Sequence, residues 1–373
     1  MTRAGLGRAR RIVVKVGTGL LAPPTGGVHT RRFSQIARDI SALLDEGREV
    51  VLVTSGAVGL GQRRLGRTER PLTLPEKQAA AAIGQIDLCR RYERSFAKNG
   101  YLVGQILLTH AGLSNRERFL RARRTFQELL AKRVVPLVNE NDSVATEELR
   151  FGDNDRLAAL VVNASGADLL ILLTDVDGLY DRPPQEGPGT RIPEVERVNK
   201  RLLARTDDGS GSPGGSGGMR SKLESAQAAA RFGVPTVIAG GRRAGVLTEI
   251  LAGRDVGTLV HPARERLSAR KHWIAFSPRP RGSLEIDAGA ERALRERGRS
   301  LLPAGVVRVR GEFRVGDLVR CLAPGGQEVA RGLVAYGADE IRTIRGQRTS
   351  QIPALLGYSN GNAVIHRDDL VIA

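Results

Sequence analysis

The sequence predicts an α/β protein: a three-layer αβα sandwich around a mainly parallel central sheet, followed by a small, mostly β domain. Three observations predict it. From residue 11 to residue 261, short β-branched apolar runs alternate with helical stretches. Between 262 and 280 the chain turns basic and carries Pro262, Pro278 and Pro280. Beyond 281 the pattern shifts to short strands around one helix. The expected division is a larger first domain at 1–261, a linker at 262–280 and a second domain at 281–373.

The first strand is expected at 12–16, where Ile12-Val13-Val14-Lys15-Val16 runs into Gly17-Thr18-Gly19. Further strands are expected at 49–54, 101–108, 134–138, 169–173, 236–239 and 258–260. Helices are expected near 31–46, 75–98, 115–131, 153–164 and 221–232. Strand and helix in alternation imply crossovers that cover both faces of a parallel sheet. Ligands then sit at the carboxyl ends of the strands, where Gly17, Ser55, Asn139, Asp142, Thr174 and Asp175 fall. The second domain is expected to hold a helix at 288–297 and strands at 306–310, 318–322, 328–333 and 363–365.

Composition narrows the function. At 373 residues and 41% hydrophobic, the chain can bury two cores. Its 4% aromatic content argues against base-stacking surfaces. No apolar run approaches the roughly 18 residues of a membrane span, and the N-terminus lacks an apolar signal core. Cys89 and Cys321 form no metal or redox spacing. A soluble, reduced, cytoplasmic protein without membrane contact is expected. The net charge of +18 raises nucleic acid as a partner. The excess is spread along the chain, however, and residues 281–373 hold 14 basic and 11 acidic residues. A solvated basic surface is the simpler reading.

Only 7 of the 58 basic residues are lysine, and two of those lie in glycine motifs. Lys15 precedes Gly17-Thr18-Gly19. Lys222 closes Gly214-Gly215-Ser216-Gly217-Gly218-Met219-Arg220-Ser221-Lys222, just before an Ala-rich helix. Glycine lets backbone N–H groups approach an anion, a helix start adds a positive dipole end, and lysine adds a mobile charge. Two such places suggest a polyphosphate held from both ends while a phosphoryl group moves. The loop at 206–218 is flexible by composition, and its ending in Met-Arg-Ser-Lys favours a phosphate-closing loop over a linker.

Familiar single motifs fail on context. Residues 17–22 match G-x-G-x-x-A, but prolines follow where a helix should run, and Thr54-Ser55-Gly56 stands where a ribose-binding acid belongs. Lys222 lacks the G-K-[ST] contiguity of a Walker A loop. Ser55 lacks the first glycine of a hydrolase elbow. The five histidines look isolated, with no metal spacing. What remains is an Asn/Asp cluster, Asn139-Glu140-Asn141-Asp142 and Asp153-Asn154-Asp155. Asp153 is a natural helix N-cap, but capping leaves the rest unexplained. Such a cluster suits an amino-acid ammonium and can orient lysines. Thr174 and Asp175 end a buried strand, either at a nucleotide or merely before the Asp177-Gly178 turn.

Together these pieces resemble the amino acid kinase family. The residues that carry the resemblance are Val14-Lys15-Val16-Gly17, Val53-Thr54-Ser55-Gly56-Ala57-Val58, the run Lys77 to Gln85, Asn139-Glu140-Asn141-Asp142, Gly152-Asp153-Asn154-Asp155, the run Leu173 to Tyr180, and Gly217-Gly218-Met219-Arg220-Ser221-Lys222. Residues 281–373 resemble a PUA domain, a pairing typical of members that phosphorylate the side-chain carboxylate of glutamate, the first step of proline synthesis. The resemblance implies catalytic Lys15, Lys222 and Asp155. It implies glutamate binding by Ser55, Asp142 and Asn154, helped by Asn139 and Asp153. It implies ATP binding by Lys15, Gly17, Thr174, Asp175, Ser216, Gly217, Gly218, Met219, Arg220, Ser221 and Lys222, with Mg²⁺ carried on the phosphates and no protein metal site. Feedback inhibition by proline, a homo-oligomer (dimer or tetramer) and RNA contact through the PUA domain are implied too. Thr18 replaces a common serine, and Arg220 stands where the family usually has a small residue. Two rivals stay open: an RNA-binding regulator built on a non-catalytic kinase-like domain, and a kinase for a related carboxylate.

Overall fold

β-branched side chains are stiff at χ1 and suit a pleated surface packed on both sides, and the run Ile12-Val13-Val14 lies at the centre of the larger sheet. The computed structural model describes residues 2–21, 29–66, 72–144, 153–182, 187, 189–206, 218–263, 274 and 280–373. The chain divides into two compact units, Met1–Leu113 with Glu117–Arg266, and Ser114–Arg116 with Leu267–Ala373. Most of the stretch expected as a linker, 262–280, lies outside the described residues.

In the first unit the strands are β1 (Arg11–Val16), β2 (Glu49–Val53), β3 (Val103–Leu108), β4 (Val135–Glu140), β5 (Leu169–Thr174), β6 (Leu179–Tyr180), β7 (Arg191–Ile192), β8 (Glu194–Val195), β9 (Thr236–Gly240) and β10 (Thr258–Val260). The helices are α1 (Thr18–Leu21), α2 (Thr30–Asp45), α3 (Ala57–Arg64), α4 (Leu74–Ala97), α5 (His110–Ser114), α6 (Arg116–Ala131), α7 (Asp153–Ser165), α8 (Lys200–Ala204), α9 (Met219–Arg231) and α10 (Val246–Leu251). Eight strands form one sheet in the order β3-β4-β2-β1-β5-β9-β10-β8. Pairing is parallel from β3 through β9, and only β10 runs antiparallel to its neighbour β9. Apolar residues of β1, β2 and β5 alternate between two cores. Ile12, Val14 and Leu52 pack with α2, α4 and α10, while Val13, Val51 and Leu170 pack with α6, α7 and α9. The sandwich is therefore three-layered, as the alternating pattern predicts.

Sequence missed α3, with eight residues, and several shorter elements. α1 has four residues and β6 to β8 have two each, too few for a period to register. α3 and α4 meet backbone to backbone because two glycines face each other. A Cβ on Gly61 would overlap the carbonyl of Ala80, and one on Gly84 would overlap that of Ala57. The long α4 opens with a capping box from Thr73 and Glu76.

The second unit is a five-stranded sheet in the order β12-β11-β13-β14-β15, from β11 (Gly282–Ile286), β12 (Val306–Gly311), β13 (Leu318–Leu322), β14 (Glu328–Leu333) and β15 (Leu370–Ile372). Helices α11 (Ala288–Arg297), α12 (Ala338–Ile344) and α13 (Ile352–Leu356) join it. The strand expected at 363–365 is not one. Val364 and Ile365 are fully buried, but the run makes only an isolated bridge, Ile365 to Leu301. Burial alone gave it a strand-like composition. Among the described residues, no helix is long and apolar enough to cross a membrane.

Candidate active site

Alternation along β1 decides where Lys15 points. Val13 joins the core beneath α7 and α9, so Lys15, two residues on, faces those helices. α7 starts at Asp153 and puts Asp155 in its first turn; α9 starts at Met219 and puts Lys222 in its own. The three side chains meet. Asp155 Oδ1 lies 2.6 Å from Lys15 Nζ, and Asp155 Oδ2 lies 3.3 Å from Lys222 Nζ. The Ser221 hydroxyl donates to Asp155 Oδ2 at 2.8 Å. Lys15, Asp155 and Lys222 are 2%, 0% and 5% exposed.

Burial governs the ionisation of this cluster. It lowers the Lys15 pKa, a shift that the nearby Lys222 charge reinforces and Asp155 opposes without reversing. Burial by itself would raise the Asp155 carboxyl. The charges of Lys15 and Lys222, with hydrogen bonds from Lys15 and Ser221, outweigh it and hold the carboxyl below its ordinary value. Asp155 is thus a fixed anion that aligns two cations.

A second cluster adjoins through Asn154, the neighbour of Asp155. Asn154 Nδ2 donates to Ser55 Oγ and to Asn139 Oδ1, both at 3.1 Å. Asn139 Nδ2 donates to Gln85 Oε1 at 2.8 Å. Asn154 Oδ1 is buried with no hydrogen-bond partner among the described residues. Asp142 heads a single 3₁₀ turn after β4. With Gln85, Cys89 and Glu140 it lines a cavity of about 420 Å³. Asp153 is the first residue of α7, and its side chain lies outside the described residues.

Thr174 ends β5, and its hydroxyl donates to Asp175 Oδ1 at 3.0 Å. Asp175 reaches over to Gly19, where an added Cβ would sit 3.4 Å from its Oδ2. Thr174 and Asp175 thus belong to the same rim as Lys15, at the adjoining ends of β1 and β5. Gly17 differs from expectation in one respect. Its N–H donates to Leu173 O at 3.1 Å, so it extends the β1–β5 pairing instead of facing an anion. Gly218 is the N-cap of α9 and Met219 its first residue. Arg220 is half-exposed and pairs with Glu224 at 2.9 Å, one turn along. Ser216 and Gly217 lie outside the described residues.

Sequence reasoning quoted Gln85 but gave it no role, because its partner Asn139 is remote in sequence. It also read His261 as isolated. In the fold, His261 Nε2 lies 2.8 Å from Glu194 Oε2, a pairing that β8 beside β10 creates.

With this geometry in view, comparison with known proteins is direct. The amino acid kinase family profile matches residues 10–240, and the PUA domain profile matches 282–356. A glutamate 5-kinase of Geobacter sulfurreducens is 47% identical over 367 residues, covering 98% of each chain. One of Chromohalobacter salexigens is 49% identical over 371 residues, covering 100% of this chain and 98% of that one. Among solved structures, UMP kinase from Bacillus anthracis matches with a TM-score of 0.47 and 17% identity, over 68% of this chain and 96% of that one. Matched by the profile over more than half its length and by these relatives from end to end, the chain belongs to the amino acid kinase family and, within it, to the glutamate 5-kinases.

Proposed function

We propose that this chain transfers the γ-phosphoryl group of ATP to the side-chain carboxylate of L-glutamate, giving L-glutamyl 5-phosphate at the first step of proline biosynthesis. The observation that carries the reading is Asp155, one buried carboxylate holding two buried ammonium groups that the fold brings from distant parts of the chain.

The chemistry follows from that arrangement. A carboxylate oxygen of glutamate forms a bond to Pγ while the bond from Pγ to the bridging oxygen breaks, and ADP leaves with the electron pair. The nucleophile is already ionised, so no general base is required. What the site must supply is cancellation of repulsion between two anions, together with alignment. Each lysine ammonium has three donors. Asp155 holds both ammonium groups together, where their charge can meet phosphate oxygens. Gly218, Met219 and the start of α9 add orphan N–H groups and a dipole end; Ser221 lies in the first turn of α9, and Ser216 and Gly217 precede it in sequence. Thr174 and Asp175 offer polar contacts to the nucleotide. Ser55, Asn139, Asn154, Asp142 and Asp153 bind glutamate, and Asn154 Oδ1 is an acceptor suited to its ammonium. Mg²⁺ enters as Mg·ATP. Mg²⁺ would offset part of the phosphates' charge there, and Asp155 is committed to the two lysines.

The same reading makes proline a feedback inhibitor overlapping the glutamate site, the protein a cytoplasmic homo-oligomer, and the PUA domain an RNA contact. Exposed Arg308 and Arg310 on β12 favour the last. Such binding would weaken steeply with salt. The kinase reading is tested by a hydroxylamine trap with Mg·ATP and either L-glutamate or L-aspartate. Hydroxamate and ADP from glutamate alone are expected. No hydroxamate from folded protein sinks the reading and favours the RNA-binding alternative.

A further inference from the structure

The amide groups beside Ser55 form a chain with a direction. Gln85 Nε2 donates to Cys89 Sγ at 3.3 Å, which turns Gln85 Oε1 toward Asn139. Burial pushes the Cys89 thiol pKa up. Asn139 must then present its NH₂ to Gln85 and its oxygen to Asn154. Asn154 spends its NH₂ on Asn139 and Ser55, and its Oδ1 is what remains. The polarity of each amide is therefore set by the one before it.

We propose that Gln85 is a positioning residue for substrate selection. It fixes the orientation of Asn139 and Asn154 so that the site offers an acceptor, and hence selects a substrate bearing an ammonium over one without it. The inference rests on the proposed glutamate kinase reading. Gln85 is 8% exposed and acts through Asn139. Its own place is held by the residue before it: Gly84 lies against the Ala57 carbonyl, and Ala57 opens α3 two residues after Ser55. Without the Gln85 acceptor, the Asn139 amide can turn over. Asn154 then has to turn as well, and an NH₂ group would face the ammonium.

The test uses the full chain, with L-glutamate and with glutarate, which lacks the α-amino group. Gln85→Met keeps length but removes the acceptor, and Gln85→Leu repeats that removal with a different shape. Gln85→Glu keeps the acceptor. The acceptor-less variants are expected to lower the kcat/KM preference for glutamate over glutarate about tenfold, the scale for one hydrogen bond to a charged group. The loss should appear as a raised KM for glutamate, with KM for ATP near wild type. Gln85→Glu is expected to restore most of the preference. An unchanged preference in both acceptor-less variants, with active wild-type enzyme, overturns the inference alone, as does a Gln85→Glu enzyme no better than Gln85→Met. A wild-type enzyme that forms no acyl phosphate from glutamate, read as hydroxamate, overturns the functional reading and this inference with it.

Discussion

Lys15 Nζ lies 2.6 Å from Asp155 Oδ1, with both side chains almost wholly removed from water. A buried ion pair adds little net stability when intact, because desolvation offsets attraction, but removing one partner strands the other. Here removal would strand two cations, since Lys222 shares the same carboxylate. Asp155→Asn is therefore expected to cost about 3–5 kcal/mol in denaturant unfolding of the free enzyme. Mg·ATP should recover part of that loss, because its phosphates supply the missing negative charge. Unfolding curves with and without nucleotide check this. A variant as stable as wild type in both would contradict the bridging role.

Both shifted groups make stability rise with pH, Asp155 as a gain lost in acid and Lys15 as a cost relieved in alkali. Asp155 is held below its ordinary 3.8. The unfolded chain binds more protons in the window beneath 3.8, so this group's stabilisation is full above that pH and is lost as pH falls through the folded value. Lys15 is held below its ordinary 10.5. In the window beneath 10.5 the unfolded chain again binds more protons. Burying the ammonium is thus a cost at neutral pH, relieved as pH rises through the folded value. Catalysis needs that ammonium, so activity should move the other way. kcat/KM for ATP should show an alkaline limb below pH 10.5, and the limb should shift upward in kcat, where bound phosphates favour the charged form. A limb seen only above 10.5 in kcat/KM would remove Lys15 from the role assigned to it.

Arg220 and Lys222 share a turn of α9 but differ in surroundings. Arg220 is paired with Glu224 and half-exposed, a contact worth about 0.3–0.5 kcal/mol. Lys222 is buried against Asp155. Arg220→Ala is expected to change KM for ATP by less than about tenfold, while Lys222→Ala should cost roughly 10²-fold or more in kcat, the scale for one lost transition-state donor. Steady-state kinetics of the two variants decide. Near-normal turnover in Lys222→Ala would break the mechanism, and a large ATP effect in Arg220→Ala would make it a phosphate ligand.

The sequence disclosed the longer strands of the first sheet and the helices of ten residues or more, because burial on both sheet faces writes itself into composition; the eight-residue α3 escaped it. It also disclosed which polar residues cluster at the strand ends. Directions were hidden. Gly17 was expected to turn its N–H toward an anion, but only the pairing register of β1 with β5 reveals that Leu173 takes it. Gln85 and His261 acquire partners across the fold, and nothing local in sequence signals those contacts. The buried run at 363–365 showed the converse limit, since apolar composition reports burial and not ladder pairing.

The α3–α4 crossing gives a test that separates space from propensity. Gly59 and Gly84 are both helical glycines, where alanine normally gains about 0.5–1 kcal/mol. An added Cβ at Gly59 meets open space, whereas one at Gly84 would overlap the Ala57 carbonyl, a backbone atom that no rotamer change can move. Gly59→Ala is therefore expected to raise stability slightly. Gly84→Ala should lower it by about 1–3 kcal/mol or more, the range for forced overpacking. Because Gln85 follows directly, the displacement should also raise KM for glutamate while leaving KM for ATP close to wild type. Thermal melts and two-substrate kinetics on both variants check this. Equal stability of the two proteins would mean that α4 can slide without cost, and that the backbone contact does not hold Gln85 in place.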